Sequence, residues 1–262
     1  MTGIPSESCD FLTRADGVVL AYRHSPPRDA SLPTVVFLSG YRSDMDGTKA
    51  VFLEARRVAQ GQGFLRFDYR GHGRSGATFE EGCIGDWLDD ALEMIDRATS
   101  GPLILVGSSM GGWIALLAAL ARPERVAGLV GIAAAPDFSE ELMWAAFDAE
   151  TRDALMRDGI IQLPNPYGET TTPVTRRLIE DGRERLIMGG PIGYAGPVRL
   201  LHGREDPDVP WRTALRLADA LISPDVDVIL TKNGDHRLST PEDLARLDRV
   251  VAGLTDQIAA ST

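Results

Sequence analysis

Leu103-Ile-Leu-Val-Gly-Ser-Ser-Met-Gly-Gly112 decides how this chain folds. Leu103 to Val106 are continuously apolar, as a strand buried on both faces must be. Met110–Ala121 reads as an apolar helix that stops before Pro123, whose ring disfavours helical geometry in the residue ahead of it. Between strand and helix stands Gly107-Ser-Ser-Met-Gly111, a G-x-S-x-G. The spacing suits a sharp strand-to-helix turn in which Ser109 takes a strained backbone conformation and lifts its hydroxyl above the sheet. Gly107 and Gly111 then let the flanking backbones approach where a Cβ would collide. The helix N-terminus under Ser109 favours negative charge, and the Met110 N–H is placed to donate to an oxyanion. Ser109 is therefore a candidate nucleophile.

On either side of this turn, short β-type runs alternate with helical patterns. That predicts an α/β protein with about eight strands, mostly parallel and flanked by helices. Asp10–Arg14 and Val18–His24 flank Asp16-Gly17 and predict an antiparallel hairpin at the sheet edge. Thr34–Ser39, Phe64–Asp68, Val126–Ala133, Val198–Leu201 and Asp225–Thr231 predict further strands. Gly47–Gln60, Ile84–Thr99, Trp211–Leu221 and Pro241–Ile258 predict helices. Residues 136–196 hold helical stretches (Glu140–Asp148, Thr151–Arg157, Thr175–Glu180), several prolines and no strand pattern. They predict a helical cap inserted into a single domain spanning 1–262. The apolar side chains Leu142, Met143, Trp144, Phe147, Leu155, Met156, Ile160 and Ile161 in that cap are candidates for lining an acyl pocket.

A serine nucleophile needs a base and an acid that orients the base. When a G-x-S-x-G serves this way, the partners follow in the order acid, then histidine. Leu200-Leu-His-Gly-Arg-Glu-Asp-Pro-Asp-Val-Pro210 brings carboxylates to the C-terminal end of a strand, where a parallel sheet presents its chemistry. Asp206 is the candidate acid, with Asp208 and Glu205 as rivals. His236, in Asn233-Gly-Asp-His236 after the last strand, is the candidate base. His202 reads as a packing residue, His72 and His24 do not follow the acid, and Asp235 reads as solvated. The second oxyanion donor is expected from Ser39-Gly-Tyr-Arg42, with Gly40 allowing close approach and the Tyr41 N–H donating. Arg42 reads as a surface cation and Lys49 as an exposed helix residue, although either would suit an acidic substrate.

Composition narrows the partners. Acidic residues number 38 against 27 basic ones, and the net charge of −11 weighs against nucleic acid. Cys9 and Cys83 offer neither metal spacing nor a disulfide framework, which fits a reducing compartment. No apolar run approaches the ~20 residues that span a membrane. The N-terminal residues have neither the basic start nor the apolar core of a signal peptide, nor transit-peptide character. Together these predict a cytoplasmic protein with no membrane span. The proposed chemistry requires neither cofactor nor metal.

Phe67-Asp-Tyr-Arg-Gly-His-Gly-Arg-Ser75 and His202-Gly-Arg-Glu-Asp206, beside the G-x-S-x-G, resemble the α/β-hydrolase family. The resemblance implies that Asp68, Arg70 and Gly71 brace the turn after a sheet strand, and it supports Asp206 as the acid. Gly47-Thr-Lys-Ala50, Arg66-Phe-Asp-Tyr69 and Asp225-Val-Asp-Val-Ile-Leu230 are similar to one subfamily, the mitochondrial palmitoyl-protein thioesterases and acyl-glucuronide esterases, as a bacterial-type relative. That similarity implies a serine hydrolase cleaving carboxylic esters or thioesters, with a small-molecule or acylated substrate. Two other readings are a peptidase or C–C hydrolase on the same fold, and a non-catalytic small-molecule binding protein.

Overall fold

In the computed structural model, which describes residues 9–164 and 171–261, β1 (Asp10–Thr13) and β2 (Val19–Ser25) form the edge hairpin. β3 (Thr34–Leu38), α1 (Thr48–Ala59), β4 (Phe64–Phe67), α2 (Ile84–Ala98), β5 (Leu103–Ser108), α3 (Met110–Ala121) and β6 (Val126–Ile132) follow. An excursion holds α4 (Ala149–Asp158), β7 (Ile160–Leu163), β8 (Thr172–Thr175) and α5 (Arg176–Arg183). β9 (Val198–Gly203), α6 (Arg212–Ala220), β10 (Val226–Thr231) and α7 (Pro241–Ala259) complete the chain. The main sheet has eight strands in the order β1-β2-β4-β3-β5-β6-β9-β10, parallel from β4 to β10. Among the described residues no helix is long and apolar enough to cross a membrane.

Alternation along the strands explains the layers. Val36 and Leu38 of β3 pack with Trp87, Met94, Trp113 and Ile114 of α2 and α3. Val35 and Phe37 point the other way and pack with Leu53 of α1 and Leu247, Val251 and Leu254 of α7. A strand sends successive side chains to opposite faces, so a sheet covered on both faces needs apolar residues at every position. β3 is buried at all five of its positions, TVVFL.

The turn after β5 is where the packing is tightest. Ser109 has φ 54 and ψ −119, an unfavourable conformation for a residue with a Cβ. Three backbone hydrogen bonds hold it: Ser109 N–H donates to Ile132 O (2.9 Å), while Gly112 and Ala135 N–H donate to Ser109 O (2.9 and 3.1 Å). A Cβ on Gly107 would strike the Gly111 carbonyl, and one on Gly111 would strike the Leu38 carbonyl of β3. Both obstacles are backbone, which cannot swing aside. Gly111→Ala is therefore expected to lower stability by about 1–3 kcal/mol through overpacking. The urea unfolding midpoint measures this, and an unchanged midpoint would contradict the packing argument.

The excursion between β6 and β9 corrects the expectation of a purely helical segment. The predicted helix Glu140–Asp148 is instead a π turn, Ser139–Met143, followed by a 3-10 turn, Trp144–Ala146. Asp148 ends it by capping α4, accepting from Thr151 N–H at 2.8 Å. β7 and β8 form an antiparallel two-stranded ribbon where no strand was expected. Each strand is only four residues long, and Pro173 inside β8 masks its pattern. Asp137 closes the excursion on itself, accepting from Ile187 and Met188 N–H, and Trp113 Nε1 of α3 ties it to the core by donating to Arg185 O at 3.3 Å.

Candidate active site

The parallel strands all end on one side, and the loops there bring together side chains far apart in the chain. Ser109 follows β5, Asp206 follows β9 and His236 follows β10. His236 Nε2 lies 3.1 Å from Ser109 Oγ, and His236 Nδ1 lies 2.8 Å from Asp206 Oδ2. A carboxylate only accepts, so Nδ1 carries the proton and Nε2 keeps a lone pair facing the serine hydroxyl. The rivals to Asp206 stand differently: Glu205 is exposed, and Asp208 N–H donates to Asp206 Oδ1 at 2.8 Å. Asp235 is exposed, with its carboxylate accepting from Leu238 N–H at 2.9 Å.

The Asp206 carboxylate has no accessible side-chain surface. Burial alone would raise its pKa, but hydrogen bonds from His202, His236 and the Val209 amide outweigh burial and hold the carboxyl far below the usual carboxylate range. His202 is the residue that sequence reasoning missed. It is buried at the end of β9, and its Nε2 lies 3.1 Å from Asp206 Oδ2 and 3.0 Å from Val209 O. The available signal was a histidine directly after the apolar pair Leu200-Leu201 of β9, since a buried imidazole needs a partner. His202→Leu removes one charge-assisted bond, worth about 1.5–3 kcal/mol, together with a buried Nδ1 that lacks a partner. Because the second loss offsets part of the first, the expected fall in urea stability is at the low end of that range, with a smaller kcat loss than removing the carboxylate itself.

Asp206, Asp208 and His236 also bring three potential metal-ligand atoms within 4.8 Å of one another. Both Asp206 oxygens already accept hydrogen bonds, Oδ1 from Asp208 and Val209 N–H and Oδ2 from the two imidazoles. A cation there would displace the contacts that orient the carboxylate.

Gly40 backs onto the turn at Ser109: a Cβ on it would sit 3.4 Å from the Ser109 Cβ. Tyr41 and Met110 line the same cavity as Ser109 and His236, a cleft of about 720 Å³. The Tyr41 side chain packs against Phe79 and Phe138, and its hydroxyl donates to Pro173 O of β8 at 2.8 Å. Arg42 is exposed and donates to Thr171 O and to Thr172 Oγ1. Lys49 corrects its reading as an exposed helix residue. It is half-buried in the cavity wall, donates to Arg237 O at 2.6 Å, and burial pushes its ammonium down to about 8. Of the candidate pocket residues, Leu142 and Met143 line the cavity, beside Phe138 and Leu163, which were not singled out. Leu155 is buried in the core instead, and Met156 and Ile160 are exposed.

The sheet order, the turn at Ser109 and the approach of His236 and Asp206 define a class, and sequence comparison agrees with it. The family model described as Serine aminopeptidase, S33 (Hydrolase_4) matches residues 29–172. The chain belongs to this α/β-hydrolase family, and the protein is an enzyme of the hydrolase class. It is 40% identical over 253 residues to the mouse mitochondrial palmitoyl-protein thioesterase ABHD10, covering 96% of this chain and 84% of that one. The human protein of the same name is 38% identical, with 96% and 81% covered. A crystal structure of a hydrolase from Agrobacterium vitis S4 superposes with a TM-score of 0.91 at 38% identity, covering 95% of this chain and 98% of that one. Mouse α/β-hydrolase domain-containing protein 10 gives a TM-score of 0.88 at 39% identity, with 96% and 99% covered.

The expected cytoplasmic location is contradicted by the relatives named palmitoyl-protein thioesterase ABHD10, whose names place those proteins in mitochondria. Scarce cysteine speaks to redox conditions and does not separate one reducing compartment from another.

Proposed function

We propose that the protein hydrolyses carboxylic esters or thioesters through a Ser109–His236–Asp206 triad and an acyl-enzyme. The observation that carries the reading is the unbroken hydrogen-bond chain from Ser109 Oγ through His236 to Asp206, opening into a cavity with an apolar wall. His236 Nε2 takes the Ser109 proton as Oγ attacks the carbonyl carbon. The Tyr41 and Met110 N–H groups receive the oxyanion. Donors of this kind are worth about 3 kcal/mol each. The C–O or C–S bond then breaks, and His236 hands its proton to the departing alcohol or thiol. Water attacks the acyl carbon as His236 takes one of its protons; the bond from that carbon to Ser109 Oγ then breaks, His236 returns the proton to Oγ, and the carboxylic acid leaves.

Residues 136–196 serve as a cap over this site. Phe138, Leu142 and Met143 from that segment give the cavity an apolar side for an acyl chain. Arg42, Lys49 and Arg237 stand on its wall as well. Among the described residues these three cations outnumber the one carboxylate on the wall, that of Asp208, and so suit the free amine of an aminopeptidase substrate poorly. Relatives named as palmitoyl-protein thioesterases support a fatty-acyl thioester among the substrates.

A fluorophosphonate probe and a panel of p-nitrophenyl esters and acyl thioesters of rising chain length test the reading. Labelling at Ser109 with turnover of esters and thioesters is expected. Failure to label, or turnover confined to aminoacyl amides, would sink it.

A further inference from the structure

We propose that His72 is a positioning residue for the oxyanion loop, holding the Tyr41–Arg42 peptide so that the Tyr41 N–H faces the Ser109 site. The assignment rests on the serine-hydrolase reading and deepens it by naming what sets the loop geometry.

His72 is 3% exposed and stands edge-on to three rings, with centroids 5.6 Å from Tyr69, 5.0 Å from Phe79 and 5.2 Å from Trp87. Both of its nitrogens are engaged. Nδ1 lies 3.1 Å from Arg70 O, and Arg42 N–H points at Nε2 from 3.3 Å. A carbonyl only accepts and an amide N–H only donates, so a single tautomer serves both: Nδ1 donates to Arg70 and Nε2 accepts from Arg42. Burial pushes the imidazole down to about 4, which keeps that lone pair available at neutral pH.

The residue it holds is strained. Arg42 has φ 58, the left-handed region, without being a glycine. Such a conformation persists only where its surroundings over-determine it. The same ring cluster also fixes the preceding residue, since Phe79 and Trp87 meet the Tyr41 ring at 4.9 and 5.9 Å. The Tyr41 ring and the peptide after it are therefore fixed by one box, and the box turns the loop toward Ser109. A phenylalanine would fill the box but offer the Arg42 amide no acceptor.

His72→Phe and His72→Gln, each with a thermal melt, separate the acceptor from the packing. His72→Phe is expected to melt cooperatively and to lose about 10- to 100-fold in kcat on p-nitrophenyl butyrate with little change in KM, as a misaligned donor would cause. Affinity for an alkyl boronic acid, whose tetrahedral adduct mimics the oxyanion, should fall by a similar factor. His72→Gln, whose Oε1 reaches toward the Nε2 position, should recover most of both losses. If His72→Phe does not fold, His72→Leu serves as the acceptor-free variant against the same glutamine. Wild-type kcat and boronate affinity in the acceptor-free variant, or equal impairment of both variants, would overturn the assignment. Wild-type protein without Ser109-dependent labelling would instead bring down the hydrolase reading and the role of His72 with it.

Discussion

Ser109→Ala is expected to lower kcat on an ester substrate by about 10⁶-fold, the scale on which loss of the nucleophile acts in serine hydrolases. Alanine keeps the Cβ, so the strain at φ 54 is unchanged and only the hydroxyl is lost. The neighbouring hydrogen bonds to Ile132, Gly112 and Ala135 are backbone and stay. The variant should accordingly unfold at nearly the wild-type urea concentration while losing both turnover and fluorophosphonate labelling. A variant that retained a hundredth of wild-type kcat would move the reaction to another group. His236 would then lack its role, because Ser109 Oγ is the group that its Nε2 faces at 3.1 Å.

What could be read in the chain beforehand is what depends on neighbours in sequence. Each feature of the turn at Ser109 lies within a dozen residues: the apolar run of β5, the two glycines and the apolar helix before Pro123. The eight-stranded sheet was legible for the same reason, since buried parallel strands announce themselves as unbroken apolar runs. Ser109, Asp206 and His236 could be named by their order along the chain, and the fold brings them into hydrogen-bond contact. The illegible part depends on distant contacts. His202 looks like core until Asp206 turns back onto it. His72 looks like a turn residue until Arg42 arrives from another loop. Lys49 sits on a helix with an amphipathic pattern, and only the loop carrying Arg237 makes its ammonium part of the cavity wall. In the excursion, the ribbon of β7 and β8 was hidden because four-residue strands carry too little periodicity to outweigh a proline.

Asp206→Asn should leave the cavity intact and lower kcat by about 10⁴-fold, the cost of losing the group that fixes the tautomer of the base. The loss follows from donor counting. Asp206 Oδ1 faces two backbone N–H groups, and Oδ2 faces two imidazole nitrogens, one from His202 and one from His236. An asparagine has only one accepting oxygen, so either way it turns its NH₂ toward groups that themselves donate. If the NH₂ faces His236, Nδ1 must give up its proton, Nε2 must carry one, and the lone pair that takes the Ser109 proton is gone. Stability should change with a definite pH dependence. The Asp206 carboxyl is held below its ordinary value in the folded state, so its ionised form contributes stability that is fully present above the unfolded carboxylate pKa of about 4 and is lost as pH falls through the lowered folded-state value. The gap in urea midpoint between wild type and Asp206→Asn should therefore be widest at neutral pH, hold steady down to about pH 4, and narrow only below it. A gap that closed between pH 8 and pH 6 would place the relevant proton on a group other than Asp206.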